Sequence, residues 1–150
     1  MGKWKKITGN GNMISENRTV SNFDGIGVGG SFDVVLVKGK EGNIVLEGES
    51  NILPYVETTI ENNTLQIKFK KNTNIKTTKN LTVTVSFDAI SKVSLGGSGN
   101  LSSSEIIKGS NFNASIGGSG NIDLEVDVDE ISSSIGGSGS INLKGKAKEF

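Results

Sequence analysis

The side chains best placed to do chemistry are Asp123, Glu125, Asp127, Asp129 and Glu130, the dense acidic cluster of the chain. Alternate residues of a strand share one face, roughly 7 Å apart. That spacing suits either an oxygen-ligated calcium ion or the acid–base carboxyl pair of a glycoside hydrolase. A register argument favours a third reading. Aligning Ile122 with Ile141 sets Glu125 beside Lys144, Asp127 beside Lys146 and Asp129 beside Lys148. On adjacent parallel strands, about 4.8 Å apart, these opposite charges stack into a ladder where like charges would repel. Asp123, Glu125 and Asp127 are therefore the calcium candidates, set against the expectation of a structural charge ladder and no cofactor.

Other chemistry is narrowed by residue type. The chain has no Cys and no His, so it has no thiol nucleophile, no disulfide and no imidazole base or ligand. Gly25-Ile-Gly-Val-Gly-Gly30 has the spacing G-x-G-x-x-G, but a dinucleotide site needs a helix next, and a β-alternating run, Phe32 to Val37, follows instead. Gly117-Gly-Ser-Gly-Asn-Ile-Asp123 comes close to the calcium nonapeptide G-G-x-G-x-D. Its Asp falls one place late, which on a strand turns the carboxylate to the opposite face. Lys68, Lys70, Lys71, Lys76 and Lys79 lie in a stretch from Asn62 to Phe87 without an acid. They could dock an anionic glycan or lipopolysaccharide, although a solvated hairpin face protected by lysines is the commoner case. The sequons at Asn17, Asn62, Asn80, Asn100 and Asn113 follow from composition.

The elements that must carry these residues are strands. Ile and Val number 16 and 12 against 9 Leu and 3 Ala, a β-branched excess that favours pleated, half-buried surfaces. Twenty-one Gly, with many Asn and Ser, supply the turns. Three octets repeat: Ser94-Leu-Gly-Gly-Ser-Gly-Asn-Leu101, Ser115-Ile-Gly-Gly-Ser-Gly-Asn-Ile122 and Ser134-Ile-Gly-Gly-Ser-Gly-Ser-Ile141. Their spacings of 21 and 19 residues point to stacked units. Gly96, Gly97, Gly99, Gly117, Gly118, Gly120, Gly136, Gly137 and Gly139 are the expected structural corners. Val28-Gly-Gly-Ser-Phe-Asp-Val34 reads as a faded fourth copy. Between corners the period is two, as in Ile122-Asp-Leu-Glu-Val-Asp-Val128. Strand, corner and strand, stacked in parallel, predict a β-solenoid. The first ninety residues read as strands and hairpins leading into the coils, with Glu61-Asn-Asn-Thr64 as a hairpin turn.

Three features together resemble the head GIN domain of bacterial auto-transporter adhesins: Val20-Ser-Asn-Phe-Asp-Gly-Ile26 leading into a Gly-Gly-Ser strand, the stretch Glu47-Gly-Glu-Ser-Asn-Ile-Leu-Pro-Tyr-Val56 with its hairpin, and the Gly-Gly-Ser-Gly repeats. They cover about residues 7 to 149. The resemblance implies an all-β, right-handed parallel β-helix, an exported, surface or periplasm-facing location, and an adhesin-like role. It carries over no catalytic or ligand residue. The expected organisation is one adhesin-like domain over 1–150, with a lead-in at 1–20, a strand and hairpin part at 21–90 and repeat coils at 91–150.

Function follows by exclusion and analogy. Sixteen Lys and Arg balance sixteen Asp and Glu, which removes the usual electrostatic case for nucleic acid. No apolar run is long enough to span a membrane, and no signal peptide opens the chain as given. The expectation is a non-catalytic surface β-solenoid that binds a cell-surface component or glycan, with homo-oligomers arising through the solenoid ends. A polysaccharide-active β-helix enzyme is the rival, weakened by a single Arg, Arg18, outside the repeats. A glycan-binding module is the third reading, weakened by one Trp, one Tyr and six Phe as stacking platforms.

Overall fold

A computed structural model describes residues 5–149, with side chains described from 5 to 145. The described residues form strands β1 (Lys5–Thr8), β2 (Met13–Thr19), β3 (Gly25–Gly29), β4 (Asp33–Lys38), β5 (Asn43–Glu49), β6 (Val56–Glu61) and β7 (Thr64–Phe69). They continue as β8 (Thr73–Lys76), β9 (Thr82–Phe87), β10 (Lys92–Gly96), β11 (Asn100–Ser103), β12 (Ile107–Ile116), β13 (Asn121–Ile135) and β14 (Ser140–Glu149). A single 3-10 turn, Leu53–Tyr55, interrupts them. The strands form where alternation dictates: in β9, Val83, Val85 and Phe87 are buried while Thr82, Thr84 and Ser86 are half-buried. The β6–β7 hairpin turns on Asn62 and Asn63, at φ 51° and 60°, a conformation that Asn tolerates.

The chain is all-β, but the expected right-handed parallel β-helix is not its fold. Twelve strands make one open, curled half-barrel sheet in the order β2-β5-β9-β4-β11-β13-β12-β10-β3-β7-β6, with β14 beside β13. Two findings overturn the solenoid. The pairs β2–β5, β5–β9 and β6–β7 are antiparallel within the same sheet as the parallel pairs. The order is also not that of the chain, since β3 lies between β7 and β10, and β4 between β9 and β11. Residues 25–38 are thus sandwiched between later segments rather than leading into a coil. A repeat near 20 residues specifies the local corner and its register. It does not specify how the sheet begins or whether it closes, and the Asn-rich and Lys40–Asn43 turns insert reversed strands. The solenoid ends expected to join copies give way to sheet edges such as β2 and β6.

What the repeats do specify is a column. Gly117 N donates to Leu95 O at 2.9 Å and Ser119 N to Gly97 O at 3.1 Å. One unit on, Gly136 N donates to Ile116 O at 2.7 Å and Ser138 N to Gly118 O at 3.1 Å. The faded copy lies beneath, with Gly30 N donating to Gly96 O at 2.9 Å. At Gly118 a Cβ would stand 2.6 Å from Gly97 O and 2.9 Å from Gly97 N. Backbone cannot yield as a side chain can, so the stack admits only glycine there.

The corner joins two wings of the curled sheet. On one, Leu65, Ile26, Val93 and Ala114 occupy matching register positions, followed by Ile67, Val28, Leu95 and Ile116. On the other, Val83, Val34, Leu101, Ile122 and Ile141 align. Apart from the half-buried Ile141, these side chains are buried, and all pack in one apolar core. Phe32, fully buried, stacks on Phe69 with ring centroids 4.6 Å apart.

Substituting Gly118→Ala should therefore cost about 2–3 kcal/mol, lowering the melting temperature by roughly 5–10 °C. Gly117→Ala, one residue away with nothing within 4 Å of its Cβ position, should stay within about 0.5 kcal/mol. Thermal melts of the two variants check this; equal losses would contradict the close-approach account.

Candidate functional site

The acidic cluster lies along β13. Ile122, Leu124, Val126 and Val128 point into the core, which turns Asp123, Glu125 and Asp127 to the exposed outer face. Parallel pairing with β14 sets Glu125 opposite Lys144 and Asp127 opposite Lys146. The Lys146 side chain and Lys148 lie outside the described side chains. Pairing with β12 adds a cation that the sequence reading overlooked: Lys108 is opposite Asp127 on the other side. The side chains of Glu125 and Lys144 do not close an ion pair, so their contribution is that of a solvated ladder, about 0–1 kcal/mol. Asp123 instead accepts a 3.4 Å hydrogen bond from Asn142 Nδ2. Among the described residues, no three or more His, Cys, Asp and Glu side chains gather where they could hold a metal ion.

Beside these acids runs a ladder of Asn and Ser side chains that starts on the Asp33 carboxylate. Asn100 Nδ2 donates to Asp33 Oδ1 at 3.0 Å, Asn121 Nδ2 to Asn100 Oδ1 at 3.1 Å, and Ser140 Oγ to Asn121 Oδ1 at 2.6 Å. The outer face of the other wing is different in kind. Gly27, Ser94 and Ser115 share a register position there. With Gln66 and Lys68 at the rim, they line a shallow trough of about 310 Å³. Gly25 and Gly27 of the G-x-G-x-x-G run are buried strand positions, and strand β4 follows them, so the phosphate-binding helix terminus is absent. The corner glycines fall as three sets. Gly96, Gly117 and Gly136 enter the corners, Gly97, Gly118 and Gly137 stack on one another, and Gly99, Gly120 and Gly139 press a Cα against the corner below.

One residue that sequence reasoning missed organises the opposite end of the molecule. Glu49 is 1% exposed at the end of β5. Its carboxylate accepts from Gly11 N at 2.6 Å, Thr78 N at 2.7 Å, Thr78 Oγ1 at 2.7 Å and Lys79 N at 3.1 Å. Burial alone would push this carboxyl up, but the hydrogen bonds from Gly11, Thr78 and Lys79 outweigh it and hold the pKa at about 2. Gly9 has no room for a Cβ because the Glu49 carboxylate fills that space. By alternation Glu49 shares the outward parity of Asn43, Val45 and Glu47, opposite Ile44, Leu46 and Gly48, so the strand pattern carried no signal of its burial.

With the fold and these surfaces in hand, the chain can be placed. It is a curled mixed-sheet domain whose outer faces are polar, and it belongs to the family described as "Putative auto-transporter adhesin, head GIN domain", whose model matches residues 22–150. No curated protein matches it. Among solved structures it is similar to a "Putative lipid binding protein" from Parabacteroides distasonis, at 23% identity and TM-score 0.80, over 95% of this chain and 70% of that one. It is also similar to a "putative adhesin" from Parabacteroides merdae, at 24% identity and TM-score 0.76, over 95% of this chain and 69% of that one. A second "putative adhesin" from Parabacteroides distasonis matches at 20% identity and TM-score 0.74, over 95% and 70%. At these identities the likeness concerns the fold. Among the described residues no helix is long and apolar enough to cross a membrane.

Glu49 gives a pH signature with a definite sign. A carboxyl whose pKa falls from 4.5 to about 2 on folding stabilises the fold above pH 4.5 and loses that contribution as pH drops towards 2. Melting temperatures of the wild type should fall steadily across this window. In Glu49→Gln, whose NH2 group would face two of the four donors with a donor of its own, the protein should be less stable at neutral pH and show a flatter profile between pH 4.5 and 2. Parallel slopes for the two proteins would show that Glu49 is not the titrating clamp.

Proposed function

We propose that residues 1–150 act as one adhesin-like head GIN unit that binds an exported or cell-surface component and does not turn over a substrate. The observation that carries this reading is the environment of the carboxylates. A hydrolase needs one carboxyl in an apolar pocket and another kept ionised. Asp123, Glu125 and Asp127 instead share one exposed strand face, with Lys144 and Lys108 in register beside them. These acids have like surroundings, so no apolar pocket sets one of them apart from the others. The outer faces offer many weak polar contacts over a broad area: the Asn and Ser ladder on one wing and the Gly27–Ser94–Ser115 trough on the other. Such a surface suits a glycan or a protein partner. Family membership supports an exported or surface location.

The lipid-binding description of one structural neighbour does not find an obvious counterpart in this core, whose interior is filled by the packed side chains of both wings. A polar outer face therefore remains the better basis for recognition than an enclosed acyl cavity.

The test is a screen against glycans and cell-surface extracts, run with and without calcium. Binding should persist without calcium and weaken by about tenfold when Ser94→Arg and Ser115→Arg together fill the trough. New reducing or unsaturated ends on a glycan, abolished by Asp123→Ala or Glu125→Ala at unchanged melting temperature, would overturn the non-catalytic reading.

A further inference from the structure

The small parallel sheet β1–β8 brings together lysines from two distant parts of the chain. Lys70, Lys71, Lys76 and Lys79 come from the acid-free stretch, while Lys5 and Lys6 come from a strand that precedes the residues matched to the family. The register is Lys5↔Thr73, Lys6↔Asn74, Ile7↔Ile75 and Thr8↔Lys76. Ile7 is buried and Ile75 packs against the core, so Lys6, Thr8, Asn74 and Lys76 share the opposite, exposed face. Lys68, by contrast, sits opposite Glu57 in the β6–β7 hairpin and is balanced there.

We propose that this face docks an acidic polysaccharide. Three observations point the same way. The segments 5–12 and 70–79 contain no acid, so the six lysines are not neutralised within their own elements, and none of them closes an ion pair among the described residues. Glu49, the carboxylate bonded to the loops after β1 and β8, is buried, and its oxygens are occupied by the amides of Gly11, Thr78 and Lys79 and the Thr78 hydroxyl. The backbone under the lysines is pinned at both ends: Lys5 N donates to Asn72 O at 2.9 Å, Gly9 N to Lys76 O at 2.8 Å, and Asn51 Nδ2 to Thr8 O at 2.8 Å. Lys5 lies on the Ile7 side of β1, where its Nζ is 5.4 Å from the centre of the Tyr55 ring, and is not part of this face.

The form of the partner follows from the face. Lys6 and Lys76 are diagonal neighbours, roughly 8 Å apart along and across the strands, and Lys70 and Lys71 extend the charge into the turn. One carboxylate cannot meet so spread a set, whereas a polymer of repeated acid groups can. A bilayer-docking face would place apolar or aromatic side chains beside its lysines. Here the outward positions are Lys, Thr and Asn, whose donors and acceptors match a hydrated sugar chain. This surface is separate from the wings discussed above, and the inference does not rest on their role.

The experiment titrates the intact protein with polygalacturonate at low and high salt, with neutral dextran and phosphatidylcholine–phosphatidylglycerol vesicles as comparisons. Polygalacturonate should bind, dextran should not, and salt should weaken the complex. The double variant Lys6→Gln/Lys76→Gln should lose roughly tenfold in affinity, whereas Lys40→Gln/Lys92→Gln, with the same change in net charge elsewhere, should stay within about twofold. If the first pair lowers the melting temperature, Lys70→Gln/Lys71→Gln on the turn gives the same reading. Failure to bind polygalacturonate, equal losses for both double variants, or binding to vesicles alone would overturn the proposal.

Discussion

Four chain segments pass through the same corner with their backbones in direct contact, and the arrangement of the rest follows from that approach. The Gly30, Gly97, Gly118 and Gly137 positions stack so closely that the space a Cβ would need is taken by the carbonyl or amide of the segment below, or at Gly30 by the Phe32 ring. Direct contact fixes the separation and register of the strands that enter and leave. Entering strands build one wing and leaving strands build the other, so the apolar residues of both meet across a single interior. Were the corners wider, Leu95 and Ile116 would no longer reach the space beneath the next glycine, where Gly120 and Gly139 now leave room for them.

The front of the molecule is held by polar clamps instead. Arg18, the single arginine, donates to Val56 O at 2.6 Å and Leu53 O at 3.0 Å, fastening edge strand β2 to the 3-10 turn. Glu49 fastens the loop after β1 and the loop after β8 from below. Both are cases of a charge placed where backbone groups would otherwise lack partners. The consequence for function is positional. The clamps consume their own charges inward, which leaves the lysines of β1 and β8 facing solvent on a stiff support.

The strand polarity was legible in the sequence because it depends on a local pattern. Period-two alternation specifies which face of β13 is wet. The pairing of Glu125 with Lys144 followed from the octet alignment. The half-barrel was not legible, because interleaving residues 25–38 between later segments is a long-range choice that no local repeat records. Lys108 beside Asp127 lies on the same 19-residue offset, carried back through the strands that enter the corner (Ser115↔Ser134, Ile116↔Ile135), a direction in which the sequence reading did not extend it. Glu49 gave little warning, since its donors are backbone amides about 30 and 40 residues away in sequence, invisible to any reading of side-chain types.

Amide hydrogen exchange at the corners tests the central claim most directly. Ser119 and Gly120 lie in a Gly-rich segment with an exposed serine, yet their amides donate to Gly97 O within the stack. If backbone contact between corners holds the wings together, these amides should open only with the global unfolding of the core, at the protection of β12 amides such as that of Ala114. Exchange at the rate of the surface turn Lys40–Gly42 would contradict it, and would make the corner a loose connection between wings held only by their side chains.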